Sequence, residues 1–146
     1  MAAEGAEVIG TLLDWLRHAR RRRRMSSDQA TGRRGEDLAH RYLRRQGYKI
    51  VARNYRLSSG DAEADLIARD REEVVIVEVK TRETGEFGPP DRAVGEEKRS
   101  HLLRVAREYA RRTDTPPERV RIDVVAVVLG APPEITQFRG VLRLNA

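Results

Sequence analysis

Hydrophobic and polar positions change their period several times along this 146-residue chain, and each change marks an element. Near the start, Val8, Ile9, Leu12, Leu13, Leu16 and Ala19 fall close to helical spacing and predict an amphipathic helix leading into the basic run Arg20–Arg24. From Gly32, Leu38, Ala39, Tyr42 and Leu43 share one helical face, and Gly47 stands where a helix would stop. "YKIVARNYRL" then reads as a strand, broken by Ser58, Ser59 and Gly60. "AEADLIA" and "EVVIVEVKT" predict two further strands around a short polar turn at Arg71 and Glu72. "RETGEFGPPD" is a Gly- and Pro-rich loop. Ala93 to about Arg112 returns to helical period, with Val94, Leu102, Val105, Ala106 and Tyr109 as its buried stripe. "VRIDVVAVVLG" is apolar on both faces and predicts an interior strand, parallel to a neighbour across that helix. "EITQFRGVLRL" adds an edge strand. The order is α-β-β-β-α-β, with an extra helix at the N-terminus. It predicts an α/β domain with one mixed sheet flanked by helices. Residues 1–31 read as an extension and 32–146 as the domain proper.

The most informative stretch is "GDAEADLIARDREEVVIVEVKTR", because "VVIVEV" is apolar enough to be buried on both faces yet contains Glu78 and ends on Lys80. With Arg71 and Glu72 as a two-residue turn, Asp65 opposes Glu78 and Glu63 opposes Lys80. Opposed residues point to the same face of a sheet with Cβ atoms about 4.5–5.5 Å apart. Glu63, Asp65, Glu78 and Lys80 are thus expected on one face, away from the turn. Ile67 and Ile76 continue that face, and Leu66, Val75, Val77 and Val79 fill the other. Two carboxylates held that close in an apolar sheet need either a shared proton or a cation. Mg2+ suits such a pair, since it takes one or two protein carboxylates and completes its shell with water and phosphate oxygens. The bland alternative is a cross-strand salt ladder satisfied by Lys80 and nearby arginines. The apolar flanks disfavour it.

Composition sharpens the picture. Net charge is +6, with 36% charged residues and 5% aromatics, so the core is aliphatic and a polyanion, such as nucleic acid or an anionic membrane surface, is the expected partner. Only three of the 29 basic residues are lysines (Lys49, Lys80, Lys98), so a lysine beside the acids suggests a role for its compact, tunable charge. The absence of cysteine excludes disulfides, thiolate zinc sites and a Cys nucleophile, and fits a reducing, cytoplasmic location. His18, His40 and His101 have no metal spacing, and neither phosphate-loop, dinucleotide-binding nor Gly-x-Ser-x-Gly motifs occur. No apolar run is long enough to span a bilayer, so stable membrane insertion is not expected. The N-terminal helix is a candidate for docking on the domain, on a second copy or on a membrane surface. Met25, after the Arg run, is an alternative start, in which case residues 1–24 would lie outside the natural chain.

An acidic residue on one strand followed by Glu-x-Lys on the next resembles the PD-(D/E)xK nuclease signature. The segments "GRRGEDLAHRYLRRQGYKIVARNYR", "EADLIARD", "VEVKTR", "FGPPDRAV" and "RIDVVAV", spanning about Gly32 to Val128, resemble the uncharacterised bacterial YraN-like family, grouped with Holliday-junction-resolvase-like and restriction-endonuclease-like folds. That resemblance implies Asp65, Glu78 and the Val79 carbonyl as ligands of Mg2+ or Mn2+. It implies Lys80 as the group that positions or activates water, and Glu36 as an acid approaching the metal from the first helix. Arg82 and Lys98 become candidate phosphate contacts. Glu63 matches the family's Gly-Glu-x-Asp element, although here Ala62 replaces the adjacent glycine. Resolvase-like enzymes often cut as dimers, which makes a homodimer a candidate assembly. The implied activity is a metal-dependent endonuclease acting on DNA. The alternative is a nucleic-acid- or partner-binding module that keeps the fold without efficient cleavage.

Overall fold

A computed structural model describes residues 12–83 and 92–145, with side chains described from residue 28 onward. Its elements are helix α1 (Leu12–Arg45), strands β1 (Lys49–Arg56), β2 (Glu63–Asp70) and β3 (Glu73–Glu83), helix α2 (Glu96–Arg112), a one-turn 3-10 helix (Pro117–Arg119), and strands β4 (Val120–Leu129) and β5 (Glu134–Arg143). The five strands form one open sheet in the order β1-β2-β3-β4-β5. All neighbours are antiparallel except β3 and β4, which are parallel and are joined across α2. This is the mixed α/β sheet read from the sequence, in a restriction-endonuclease-like arrangement, with β5 as the expected edge strand.

Each helix covers one face. Ala39 and Leu43 of α1 bury against Leu66, Ala68, Val75, Val77, Val125 and Val127. Leu102, Val105, Ala106 and Ala110 of α2 bury against Ile67, Val74, Ile76, Val120 and Ile122. The alternation expected of β2 and β3 thus sorts their apolar side chains correctly between the two layers. Burying one such side chain is worth roughly 1.5–3 kcal/mol, so these two clusters hold the sheet between its helices.

Helix α1 passes through residues 31 and 32 without a break, so the helical segment before the Arg run and the helix read from Gly32 are one element. Val8 and Ile9 lie outside the described residues, as do the side chains of Leu12, Leu13, Leu16 and Ala19. The helix ends as Gly47 predicts. Gly47 adopts φ 94°, its N–H donates to the Arg44 carbonyl at 3.0 Å, and the Tyr48 N–H reaches the Leu43 carbonyl at 3.0 Å. A left-handed residue closing the last carbonyls in this way is readily supplied by glycine. Against the sheet, α1 rests its backbone on β3. A Cβ on Gly35 would lie 1.8 Å from Thr81 Oγ1, so only glycine lets the helix come this close. That contact sets Glu36, the next residue, beside the end of β2. The Gly- and Pro-rich loop expected after Arg82 falls at residues 84–91, outside the described residues.

β4 is buried along its whole length, but not by apolar residues alone. Arg121 and Asp123 lie inside it at 4% and 0% exposure. Arg121 Nε donates to Asp123 Oδ1 at 3.0 Å, Nη1 to Glu73 at 2.6 Å, and Nη2 to the Tyr48 hydroxyl at 2.7 Å and to Asp70 at 3.2 Å. Asp123 also accepts from the Gly140 N–H at 2.8 Å and from Gln137 at 3.0 Å. The reading of β4 as uniformly apolar is corrected here: a satisfied ion-pair network ties Tyr48 at the entry to β1, the β2–β3 hairpin, β4 and β5 together beneath α1.

Candidate metal centre at the parting of two strands

Asp70 pairs with Glu73 around the tight turn, and the antiparallel ladder runs on to Leu66 opposite Val77. That is the register expected from a turn at Arg71 and Glu72, and it brings Asp65 and Glu78 together as the next pair. The regular ladder ends there. In its place the Asp65 carboxylate accepts the Val79 backbone N–H at 2.7 Å, while β3 continues alongside β4 as far as Glu83. The two strands part at the acids, and an aspartate side chain closes the gap.

A backbone irregularity aims that aspartate. Ala52 and Tyr55 of β1 pack in the same cluster, and so do Ala64 and Ile67 of β2, although each pair is separated by an odd number of residues. Period-2 alternation is therefore broken between them. Asn54, within that stretch of β1, has φ 50°, a left-handed conformation that asparagine tolerates better than most residues. Such irregularities re-aim side chains. Asp65 falls within the break on β2.

The Glu78 and Asp65 carboxyl groups lie within hydrogen-bonding reach of each other. Burial and the Asp65 charge push the Glu78 carboxyl up to about 8, against an ordinary 4.5. Glu78 is 11% exposed and takes its counter-charge from α2, where Lys98 Nζ sits 3.3 Å from Oε2. Lys80 Nζ donates to the Ala93 carbonyl, just before α2. Glu36 approaches from α1. Its carboxyl is also pushed up, first by burial and next by Asp65, and Arg53 Nη2 stands 3.9 Å away while bonding Asp37 at 2.8 Å.

The structure therefore brings together Asp65, Glu78, Val79 and Lys98, with Glu36 close enough to feel the Asp65 charge, while Lys80 lies two residues along β3 from Glu78 with its ammonium on the Ala93 carbonyl. Arg82 follows Lys80 by two residues on β3 and shares its side of the strand. One expectation fails. Glu63 does not ladder with Lys80; its carboxylate accepts from Arg56 at 3.2 Å, and Lys80 turns to the α2 entry instead. The parting of β2 from β3 and the break in alternation remove the opposed geometry on which that pairing relied. Lys98, expected against phosphate, is found on Glu78. Sequence reasoning missed Arg53 and Asn54; an asparagine in mid-strand was the available signal.

Do these residues suit a divalent cation? Among the described residues no three acids or histidines converge on one cation-sized point. The donor set is instead two touching carboxylates, Asp65 and Glu78, with the Val79 carbonyl as the implied third ligand. Two carboxylates suffice for Mg2+, which keeps several waters and takes substrate phosphate oxygens. The raised Glu78 also marks a pair that repels unless a proton or cation lies between its members. The residues fit the ion.

Residues 35–127 match the model of the uncharacterised protein family UPF0102. The chain belongs to the UPF0102 family. Among curated relatives, a UPF0102 protein of Solibacter usitatus is 51% identical over 133 residues, which cover 91% of this chain and 98% of that protein. One from Koribacter versatilis is 43% identical over 118 residues, covering 79% and 80%. A Nocardia farcinica member is 43% identical over 120 residues, covering 81% and 93%. The YraN-like resemblance is thus met, and the UPF0102 match spans Glu36, Asp65, Glu78, Lys80 and Lys98. No helix among the described residues of this UPF0102 protein is long and apolar enough to cross a membrane.

Proposed function

We propose that this UPF0102 protein is a metal-dependent endonuclease that hydrolyses DNA phosphodiester bonds, with branched or single-stranded DNA as candidate substrates. The observation that carries the reading is the Asp65–Glu78 carboxyl pair, in contact where β2 and β3 part and flanked by two of the three lysines. A protein that only bound DNA would gain nothing from acids facing phosphate. When bound, Mg2+ or Mn2+ supplies Lewis-acid stabilisation of charge on the phosphoryl oxygens and a more acidic water. The chain's own part is separable. Asp65, oriented by the Val79 N–H, and Glu78 hold the ion together with the Val79 carbonyl. Lys80, steadied by the Ala93 carbonyl, orients the attacking water or offsets developing charge. Glu36 supports the same site from α1. Arg82 and the basic surface behind the net charge of +6 grip phosphates, which gives affinity with little sequence preference.

The test is nicking of supercoiled plasmid and of a four-way junction in Mg2+ and in Mn2+, by wild type and by Asp65→Ala. The expected outcome is metal-dependent cleavage by wild type that Asp65→Ala loses, with DNA binding retained in both. Binding without cleavage under either metal would favour the binding-module reading.

A further inference from the structure

Lys98 stands in the first turn of α2, and its ammonium is paired with a carboxylate that the proposed function needs for a metal. The two ends of this pair are unequal. The Glu78 side chain is 11% exposed and fixed between Asp65 and the sheet, whereas Lys98 is 38% exposed on a flexible four-carbon stem. Lys98 can leave for solvent; Glu78 cannot follow it. A divalent cation on the same carboxylate would meet the ammonium as a like charge at close range, so the two cannot share Oε2 comfortably. Lys80 is not the competing group, because its own ammonium is held by the Ala93 carbonyl. Arg53, the cation on the α1 side, is bonded to Asp37.

We propose that Lys98 is an exchangeable counter-ion of Glu78. Its ammonium and a divalent cation compete for one carboxylate oxygen, and the lysine set free on exchange becomes the phosphate contact on the α2 side. This deepens the nuclease reading and rests on it. The Lys98 cation is thereby delivered towards substrate only when the site is loaded.

The full chain is titrated with Mn2+ in the absence of DNA, by calorimetry, as wild type, Lys98→Met and Arg99→Met. Losing the competitor should tighten Mn2+ binding about fivefold in Lys98→Met. Arg99→Met removes the same charge from the same helix without touching Glu78, and should change affinity less than about twofold. In wild type, Mg2+ should also release Lys98, seen as faster hydrogen exchange at its isotopically labelled ammonium. Unchanged or weaker Mn2+ binding by Lys98→Met, or an equal gain in Arg99→Met, overturns the exchange while leaving the nuclease reading intact. Failure of wild type to bind Mn2+ at all overturns both.

Discussion

Replacing Glu78 by glutamine should reduce Mn2+-dependent DNA cleavage about a thousandfold or more, because a bound metal supplies several kcal/mol of transition-state stabilisation and each 1.36 kcal/mol is tenfold in rate. DNA affinity should stay within about twofold, since phosphate contacts on the basic surface carry binding and the buried Glu78 carboxylate does not. The same variant has a second signature, in stability without metal. The folded-state Glu78 carboxyl is pushed up to about 8 from an ordinary 4.5, by burial first and by Asp65 next. A raised pKa means the native state holds this proton more tightly than the unfolded chain does. The stabilisation is complete below about pH 4.5 and is lost as pH rises through about 8, where the carboxylate must ionise in a buried site. Metal-free wild type should therefore lose stability of the order of a few kcal/mol between those limits, relative to Glu78→Gln, which has no such proton to lose. Urea unfolding at pH 5 and at pH 8.5 measures the difference. A residual activity of a tenth or more in Glu78→Gln would remove Glu78 from the mechanism. Parallel pH profiles would show that the acid pair is not strained.

The second large effect is on folding. Asp123→Ala should lower stability by about 3–5 kcal/mol, the range for breaking a buried ion pair by removing one partner. For a chain of this size that is a fall in Tm of about 10 °C or more. Three donors lose an acceptor at once, Arg121, the Gly140 N–H and Gln137, although Gln137 keeps the Tyr48 hydroxyl. Arg121 keeps Asp70 and Glu73, which limits the loss. Arg143→Ala, which removes a half-exposed partner of the same Glu73, should cost less than about 1 kcal/mol. Cleavage by folded Asp123→Ala should remain within a few fold of wild type, because Asp123 faces α1 beneath the hairpin while Glu78 pairs with Lys98 of α2. A Tm within 3 °C of wild type, about what a surface pair costs, would refute the network's structural role.

Much of the site was legible in the residues because it depends on local rules. A two-residue turn fixes register, register fixes which side chains meet, and Asp65 and Glu78 meet as those rules require. Gly47 ended α1 for the equally local reason that few other residues accept its backbone angle. What escaped the sequence depends on distance or on broken periodicity. Lys98 reaches Glu78 from a helix twenty residues on, and nothing in the spacing announces it. The alternation of β2 breaks between Ala64 and Ile67, so the Glu63–Lys80 pair was lost while its neighbour survived. Arg121 and Asp123 were absorbed into an apolar strand because five valines, an isoleucine, an alanine and a leucine surround them there. Their partners come from Tyr48, Asp70 and Gln137, which only the fold assembles. The proposed site and the fold's structural ion pair thus sit in the same sheet, under different helices.

Crystals of the full chain grown with Mn2+, with anomalous scattering recorded at the manganese edge, test the metal centre itself. One peak is expected within bonding distance of both the Asp65 and Glu78 carboxylates, with Lys98 displaced from Glu78. A fully soaked crystal with no peak at that pair, and Lys98 still seated on Glu78, would contradict it.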